Sequence, residues 1–85
     1  MDAVIPDWTT PYIKTWQRWL ADFVGRPHAN ALEVGSLAGR STEWFCQNIL
    51  VGDDCHMDVV DPWQGEAAAM EAVFDARTAP YPVTK

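Results

Sequence analysis

The sequence has no long hydrophobic run and no cluster of basic residues. None of its apolar stretches approaches the roughly 18 residues that indicate a membrane span, and residues 1–7 lack the basic and apolar regions of a secretory signal. We therefore expect a cytoplasmic chain without a membrane segment. Six basic and twelve acidic residues give a net charge of −6. Because no group of Lys or Arg could follow a phosphate backbone, nucleic acid is disfavoured as a partner.

Cysteine and histidine are also scarce. Two cysteines, Cys46 and Cys55, stand nine positions apart without a C-x-x-C pattern, and His28 and His56 are not spaced as a ligand pair. This spacing disfavours a disulfide framework or a metal site and is typical of free thiols in a reducing compartment. We therefore expect no metal in this segment.

The composition nevertheless predicts a folded core. Of the 85 residues, 48% are hydrophobic, 21% are charged and five are Trp, which is too apolar for a disordered segment. The length allows a modest core, so we expect one domain or part of one. Three segments make up this single, incomplete domain: an amphipathic helical segment over 1–28, a strand-helix-strand-helix segment over 29–78, and a proline-rich tail over 79–85.

The first segment predicts one amphipathic helix over residues 11–24. Thr10 is the expected N-cap, and Gly25 and Pro27 are stop signals. Aromatic and aliphatic side chains recur at helical spacing on one face: Tyr12, Trp16, Trp19, Leu20 and Phe23. Such a stripe usually belongs to a core, so we expect it to cover a sheet. The alternative is a lid or a substrate wall, with Trp8 the residue most free to act in that way.

The middle segment alternates short apolar runs with helical patterns. Four elements are predicted: strands over 31–34 and 56–60, and helices over 41–50 and 66–77. Pro80 and Pro82 exclude the tail from the centre of a sheet. Two parallel strands alone leave both sheet edges unpaired, so we expect a marginally stable fold that self-associates through these edges.

Two glycines lie between the first strand and the helix that follows it. Gly35 and Gly39 do not match the dinucleotide fingerprint G-x-G-x-x-G, because Leu37 occupies the position of the middle glycine. The phosphate loop G-x-x-x-x-G-K-[ST] does not match either, since the segment is one residue short and has Arg40 where the lysine belongs. Asp61 ends the second strand 22 positions after Gly39, close to the offset of about 20 that places an acid beside a glycine turn. The spacing predicts a shared pocket.

In this order, over residues 29–77, the motifs resemble the cofactor-binding region of class I S-adenosylmethionine-dependent methyltransferases. The matching stretches are Glu-Val-Gly-Ser at 33–36, Gly-Arg-Ser-Thr at 39–42, Asp-Pro-Trp at 61–63 and Phe-Asp-Ala at 74–76. The resemblance implies S-adenosylmethionine as cofactor. It also implies an α/β fold, a partial doubly wound, Rossmann-like parallel sheet in the order helix-strand-helix-strand-helix.

Later strands of that family, which carry the acceptor site, are expected to be missing from these 85 residues. The resemblance therefore names no catalytic residue, and it implies that the chain is inactive by itself.

Eight residues are the candidates for cofactor binding: Glu33, Gly35, Ser36, Gly39, Arg40, Ser41, Asp61 and Trp63. The glycines allow close approach of a ligand to the backbone, or they are ordinary turn glycines. Polar side chains at 36, 40 and 41 surround a helix N-terminus, which favours a carboxylate such as the methionine end of the cofactor. Arg40 is alternatively a solvated residue at the helix start.

The acidic and aromatic candidates each have two interpretations. By resemblance, Glu33 organises the turn and the amino group of the cofactor; otherwise it is a strand-end carboxylate bound by backbone N–H groups. Asp61 accepts hydrogen bonds from ribose hydroxyls by resemblance, or it caps the next segment. Trp63 stacks on adenine or fills the loop.

The resulting hypothesis is a methyltransferase segment whose acceptor is a small molecule. Attack of a substrate nucleophile on the sulfonium methyl group depends mainly on proximity and in-line orientation. Two alternatives stay open. One is a non-enzymatic remnant or interaction module that needs a partner chain, and the other is a nucleotide or dinucleotide binder of another class.

Overall fold

The computed structural model describes residues 7–85. In chain order, the elements are a 3-10 turn at Thr10–Tyr12, helix α1 at Ile13–Trp19, a 3-10 turn at Ala21–Phe23, strand β1 at Asn30–Val34, helix α2 at Arg40–Asn48, strand β2 at His56–Val60, a 3-10 turn at Gly65–Ala67, helix α3 at Met70–Thr78 and strand β3 at Val83–Thr84. The first two strands and α2 begin and end within two residues of their predicted bounds. Helix α3 starts later than predicted because residues 65–67 form a separate 3-10 turn.

The three strands form one open parallel sheet in the order β1-β2-β3. Val34 of β1 lies opposite Val60 of β2, and Met57 of β2 lies opposite Val83 of β3. Because α2 connects β1 to β2 and α3 connects β2 to β3, each crossover is a strand-helix-strand unit. The fold is therefore α/β with a small parallel sheet, which is compatible with a partial Rossmann-like arrangement.

The core lies between one face of this sheet and helices α2 and α3. Burial alternates along β2, where Met57 and Val59 are buried while Asp58 and Val60 are exposed. The buried cluster consists of Cys46, Leu50, Cys55, Met57, Val59, Trp63 and Phe74. Both crossovers run in the same direction along the sheet, so right-handed connections place both helices on the same face.

The opposite face of the sheet is open within residues 7–85. Leu32, Val34 and Val60 expose 67%, 77% and 55% of their surfaces there. Because the register sets Val34 beside Val60, the exposed apolar groups adjoin across the two strands. Adjoining apolar groups on a surface are typical of an interaction site.

The third strand corrects the expectation of a two-stranded sheet. Val83 and Thr84 pair with β2, and the carbonyl of Pro82 accepts a hydrogen bond of 3.0 Å from the N–H of Met57. Proline lacks a donor, but its carbonyl remains an acceptor, so it can precede an edge strand. Within the described residues β3 lies at the edge of the sheet, as the two prolines require.

The N-terminal segment also differs from its prediction, since it is not one helix over residues 11–24. It divides into α1 and two 3-10 turns, with a break at Leu20, where φ is −106° and ψ is 10°. Thr10 is not the N-cap. Instead, the carboxylate of Asp7 accepts hydrogen bonds of 3.0 Å from the N–H groups of Thr9 and Thr10, and another from the Thr10 hydroxyl.

The aromatic stripe of this segment packs chiefly on α2 and does not cover the sheet as expected. The Trp16 ring lies 5.6 Å from Trp44 and 5.2 Å from Phe45, measured between centroids. Tyr12 and Trp19 are more than half exposed. Trp16 thus holds the start of the segment against α2, and the N–H of Gly25, which donates to the carbonyl of Ile49 at 3.1 Å, holds its end. No helix in residues 7–85 is long and apolar enough to cross a membrane.

Candidate functional site

The glycine turn between β1 and α2 forms the centre of the site. Gly35 has φ +84° and donates its N–H to the carbonyl of Val60 at 2.7 Å. Gly39 has φ +81° and is the N-cap of α2, where a Cβ atom would lie 2.9 Å from the ring of Phe74. Both positions therefore need glycine for backbone reasons, which accounts for the spacing of the turn.

Asp61 lies beside this turn, as its spacing predicts. One carboxylate oxygen accepts the N–H of Leu37 at 2.9 Å, and the other accepts the N–H of Trp63 at 2.8 Å. The first bond joins the end of β2 to the glycine turn, and the second caps the segment that follows. Because each carboxylate oxygen has about two acceptor sites, the half-buried side chain retains capacity for ligand hydroxyls.

Glu33 is bound by side chains and not by the backbone N–H groups expected in the simpler interpretation. Its two oxygens accept hydrogen bonds from the hydroxyl of Ser41, at 2.6 Å, and from that of Thr42. These contacts fasten the end of β1 to the first turn of α2. Sequence reasoning did not give Thr42 a role, although two hydroxyl residues at a helix start after a strand-end acid are a usable signal.

Ser36 is 3% exposed, and its hydroxyl has no hydrogen-bond partner among residues 7–85. A buried polar group without a partner costs about 1–3 kcal/mol. The neighbouring hydroxyls at 41 and 42 are bonded, so among the three only that of Ser36 has no partner in the described residues. The role of Ser36 in binding stays a prediction.

A cavity of about 210 Å³ lies over the turn. Its lining comes from three places: the turn itself at 35–38, the first residues of α2 at Arg40 and Ser41, and the N-terminal residues Trp8, Thr9, Tyr12 and Trp16. The geometry thus brings the N-terminal aromatic residues to the glycine turn. This arrangement supports the lid or wall alternative over the sheet-covering one.

Trp63 lies in the core beneath the turn. Its indole N–H donates to the carbonyl of Leu37 at 2.7 Å, and its ring lies 5.1 Å from that of Phe74. With 9% of its surface exposed, the side chain supports the turn from below. This placement favours the loop-filling interpretation over stacking on adenine.

Arg77 is a supporting residue that sequence reasoning missed. Its guanidinium donates to the carbonyl of Ala38 at 3.2 Å and lies 3.9 Å from the carboxylate of Glu43. It therefore connects α3 to the glycine turn. Only the packing of α3 against α2 brings residues so distant in sequence together, so no local pattern could have indicated this role.

Of the eight candidates, seven surround the glycine turn or its cavity, and Trp63 lies under it. Comparisons with family models, with curated proteins and with solved structures find no match to this chain. Within the described residues, no group of three or more His, Cys, Asp or Glu is arranged to hold a metal ion. The chemistry open to the site is the binding of a small polar molecule through a helix N-terminus, Arg40, Ser36 and Asp61.

Proposed function

We propose that the chain is the cofactor-binding portion of an S-adenosylmethionine-dependent methyltransferase whose acceptor is a small molecule. The observation that supports this most is the cavity over the glycine turn. That cavity is lined by Ser36, whose buried hydroxyl has no partner among residues 7–85, by a cationic side chain and by a helix N-terminus, and a strand-end carboxylate lies beside the turn. These groups suit an amino-acid end and a ribose on one ligand.

The carboxylate end of such a ligand fits the start of α2. The first N–H groups of a helix have no partner within it, and the helix dipole favours negative charge at that end. Arg40 and Ser36 also line the cavity, and Arg40 adds a positive charge. A charged hydrogen bond of this kind contributes about 1.5–3 kcal/mol.

A phosphate group fits the turn less well. Three of its N–H groups are already bonded within the chain: that of Gly35 to Val60, that of Leu37 to Asp61 and that of Gly39 to Ser36. A phosphate-binding turn keeps such groups for the ligand and does not set a carboxylate against them. The arrangement therefore favours a cofactor without phosphate.

The size of the cavity supports binding of one part of the cofactor. At about 210 Å³ it lies below the roughly 300 Å³ at which sites for drug-sized ligands begin, so a volume of this size suits the methionine arm and not the whole cofactor. The ribose would lie outside it, along Asp61. When bound, the cofactor supplies an electrophilic methyl group on sulfur. The residues of this chain hold it in position, and orientation of this kind is the main requirement for methyl transfer.

Calorimetric titration of the chain with S-adenosylhomocysteine, NAD and ATP tests the proposal. We expect S-adenosylhomocysteine to bind more tightly than either phosphate-containing ligand. The Asp61→Ala variant should lose about 1.5–3 kcal/mol of binding, roughly ten- to more than a hundredfold. Asp58→Ala is the matched control, because that carboxylate is on the exposed side of the same strand.

The outcomes separate the functions that remain open. Equal or tighter binding of ATP would overturn the methyltransferase proposal in favour of another nucleotide binder. Unchanged affinity in a folded Asp61→Ala variant would leave that side chain with its capping role alone. Circular dichroism of each variant checks that the Leu37 contact is not needed for folding.

An interaction module is the second candidate function. The open sheet face favours it, since Leu32, Val34 and Val60 adjoin there and are more than half exposed. Absence of binding to all three ligands, together with concentration-dependent assembly of the chain, would support this function over cofactor binding.

A further inference from the structure

The aromatic side of the cavity is not used by the carboxylate or the ribose of the proposed ligand. Trp8, Tyr12 and Trp16 form this side, called the aromatic wall below. Trp8 and Tyr12 leave 66% and 56% of their surfaces exposed. Large aromatic surfaces left open at the mouth of a cavity are typical of a ligand contact.

The position of the wall is set by the fold. Trp16 packs between Trp44 and Phe45 of α2, and Tyr12 stacks on Trp16 with the rings 6.1 Å apart and 22° from parallel. Because α2 also begins at the glycine turn, ring packing connects Tyr12 and Trp16 to the helix whose N-terminus lines the cavity. A ligand held at the helix start therefore lies against these rings.

The charges around the cavity allow a cation at the wall. Arg40 is the cationic residue of the lining, and it lies near the carboxylate of Asp7. Hydrogen bonds from the side chain and backbone of Thr10 are the main reason that the pKa of Asp7 is lowered, with Arg40 contributing further. The ionised Asp7 therefore offsets part of the charge of Arg40.

We propose that the aromatic wall holds the positively charged sulfur of the cofactor, so that the site distinguishes a sulfonium from a thioether. This inference rests on the proposed function. In the methionine arm a short carbon chain separates the carboxylate from the sulfur, and the lining of the cavity contains both a cationic residue, Arg40, and aromatic rings. A cation over the face of Trp or Tyr is attracted by the ring quadrupole.

The inference predicts a preference of about two- to thirtyfold for S-adenosylmethionine over S-adenosylhomocysteine. The two ligands differ by one methyl group and one positive charge. A site that held the sulfur against aliphatic groups would lack the electrostatic part of this preference. Loss of the methyl group from the bound cofactor would then weaken its binding, which favours release of the product.

Paired calorimetric titrations with S-adenosylmethionine and S-adenosylhomocysteine test this preference. They are made on the unmodified chain, on Tyr12→Leu, and on the double variant that combines Trp8→Leu with Tyr12→Leu. Leucine keeps apolar surface for the methyl group but removes the ring. We expect the affinity ratio to fall in the double variant, which keeps only Trp16 of the three rings, mainly through weaker binding of S-adenosylmethionine. Tyr12→Phe should keep the affinity ratio of the unmodified chain, because it keeps an aromatic ring at this position.

Trp19→Leu is the matched control. Trp19 ends α1 in the same N-terminal segment and is 73% exposed, but it does not line the cavity. Its variant should keep the ratio of the unmodified chain. A ratio near one in the unmodified chain, or a ratio that does not change when the rings of Trp8 and Tyr12 are removed, would overturn the inference while leaving cofactor binding intact. Failure of both ligands to bind would overturn the proposed function, and with it the inference.

Discussion

Replacement of Gly39 by alanine tests the packing of the glycine turn on α3. Gly39 has φ +81°, and a Cβ atom there would lie 2.9 Å from Cδ2 and 3.4 Å from Cα of Phe74. The left-handed conformation costs a residue with a side chain about 1–2 kcal/mol. Overpacking against a buried ring adds about 1–3 kcal/mol, because Phe74 is 1% exposed and has no room to withdraw.

The two costs sum to about 2–5 kcal/mol of unfolding free energy. A domain of 85 residues has a total of roughly 4–13 kcal/mol, so Gly39→Ala should remove a large part of the stability. Gly35→Ala is the control that separates the two costs. Gly35 has φ +84°, but no heavy atom of the described residues lies within 4 Å of its added Cβ.

Urea unfolding followed by circular dichroism measures both variants. Both lower the entropy of the unfolded chain to the same extent, so that effect cancels in the comparison. We expect Gly39→Ala to be less stable than Gly35→Ala by about 1–3 kcal/mol. Adding Phe74→Leu should reduce the difference, because it removes the ring that meets the Cβ. Equal losses in the two single variants would refute the packing argument.

Two further predictions concern the core and the open sheet face. Burial first, and the nearby carboxylates of Glu33 and Glu43 second, raise the pKa of Cys46 from 9.0 to about 11. The folded state therefore keeps a proton that the unfolded chain loses above pH 9.0, so stability is full below that pH and falls by about 2–3 kcal/mol as the pH rises through 11. The unfolding free energy of Cys46→Ala should not show this fall at high pH. If the variant and the unmodified chain have the same dependence of stability on pH, the fall does not come from Cys46. Leu32→Lys puts a charge on the open sheet face and should weaken self-association in sedimentation experiments. Val51→Lys, at a similarly exposed site after α2, should not weaken it. An unmodified chain that stays monomeric at every concentration would contradict self-association through this face.

Local sequence pattern was sufficient for the central unit of the fold. The apolar runs and the glycines between them predicted β1, α2 and β2 almost to the residue, because short parallel strands and the turns that join them to helices depend on nearest neighbours in sequence. The same spacing predicted Asp61 beside the glycine turn, since a strand-helix-strand unit returns the chain to the neighbouring strand end.

Tertiary structure decided the parts that depend on distant residues. The N-terminal helix breaks at Leu20. Trp16 packs on α2 because Trp44 and Phe45 of α2 present aromatic rings to it. Periodicity identifies an apolar face but not the surface that covers it. The third strand forms because β2 offers hydrogen-bonding groups to Pro82 and Val83, which no local propensity records.

The site divides in the same way. The sequence by itself determined which residues occupy the glycine turn and the end of β2. The backbone conformation of the turn requires glycine, and the chain spacing brings Asp61 beside it. Only the tertiary structure determined that Trp63 is buried under the turn, that Glu33 binds hydroxyls of α2, and that the hydroxyl of Ser36 has no partner in the described part of the chain. Those outcomes depend on how helices and strands pack, and packing is a property of residues that are far apart in the chain.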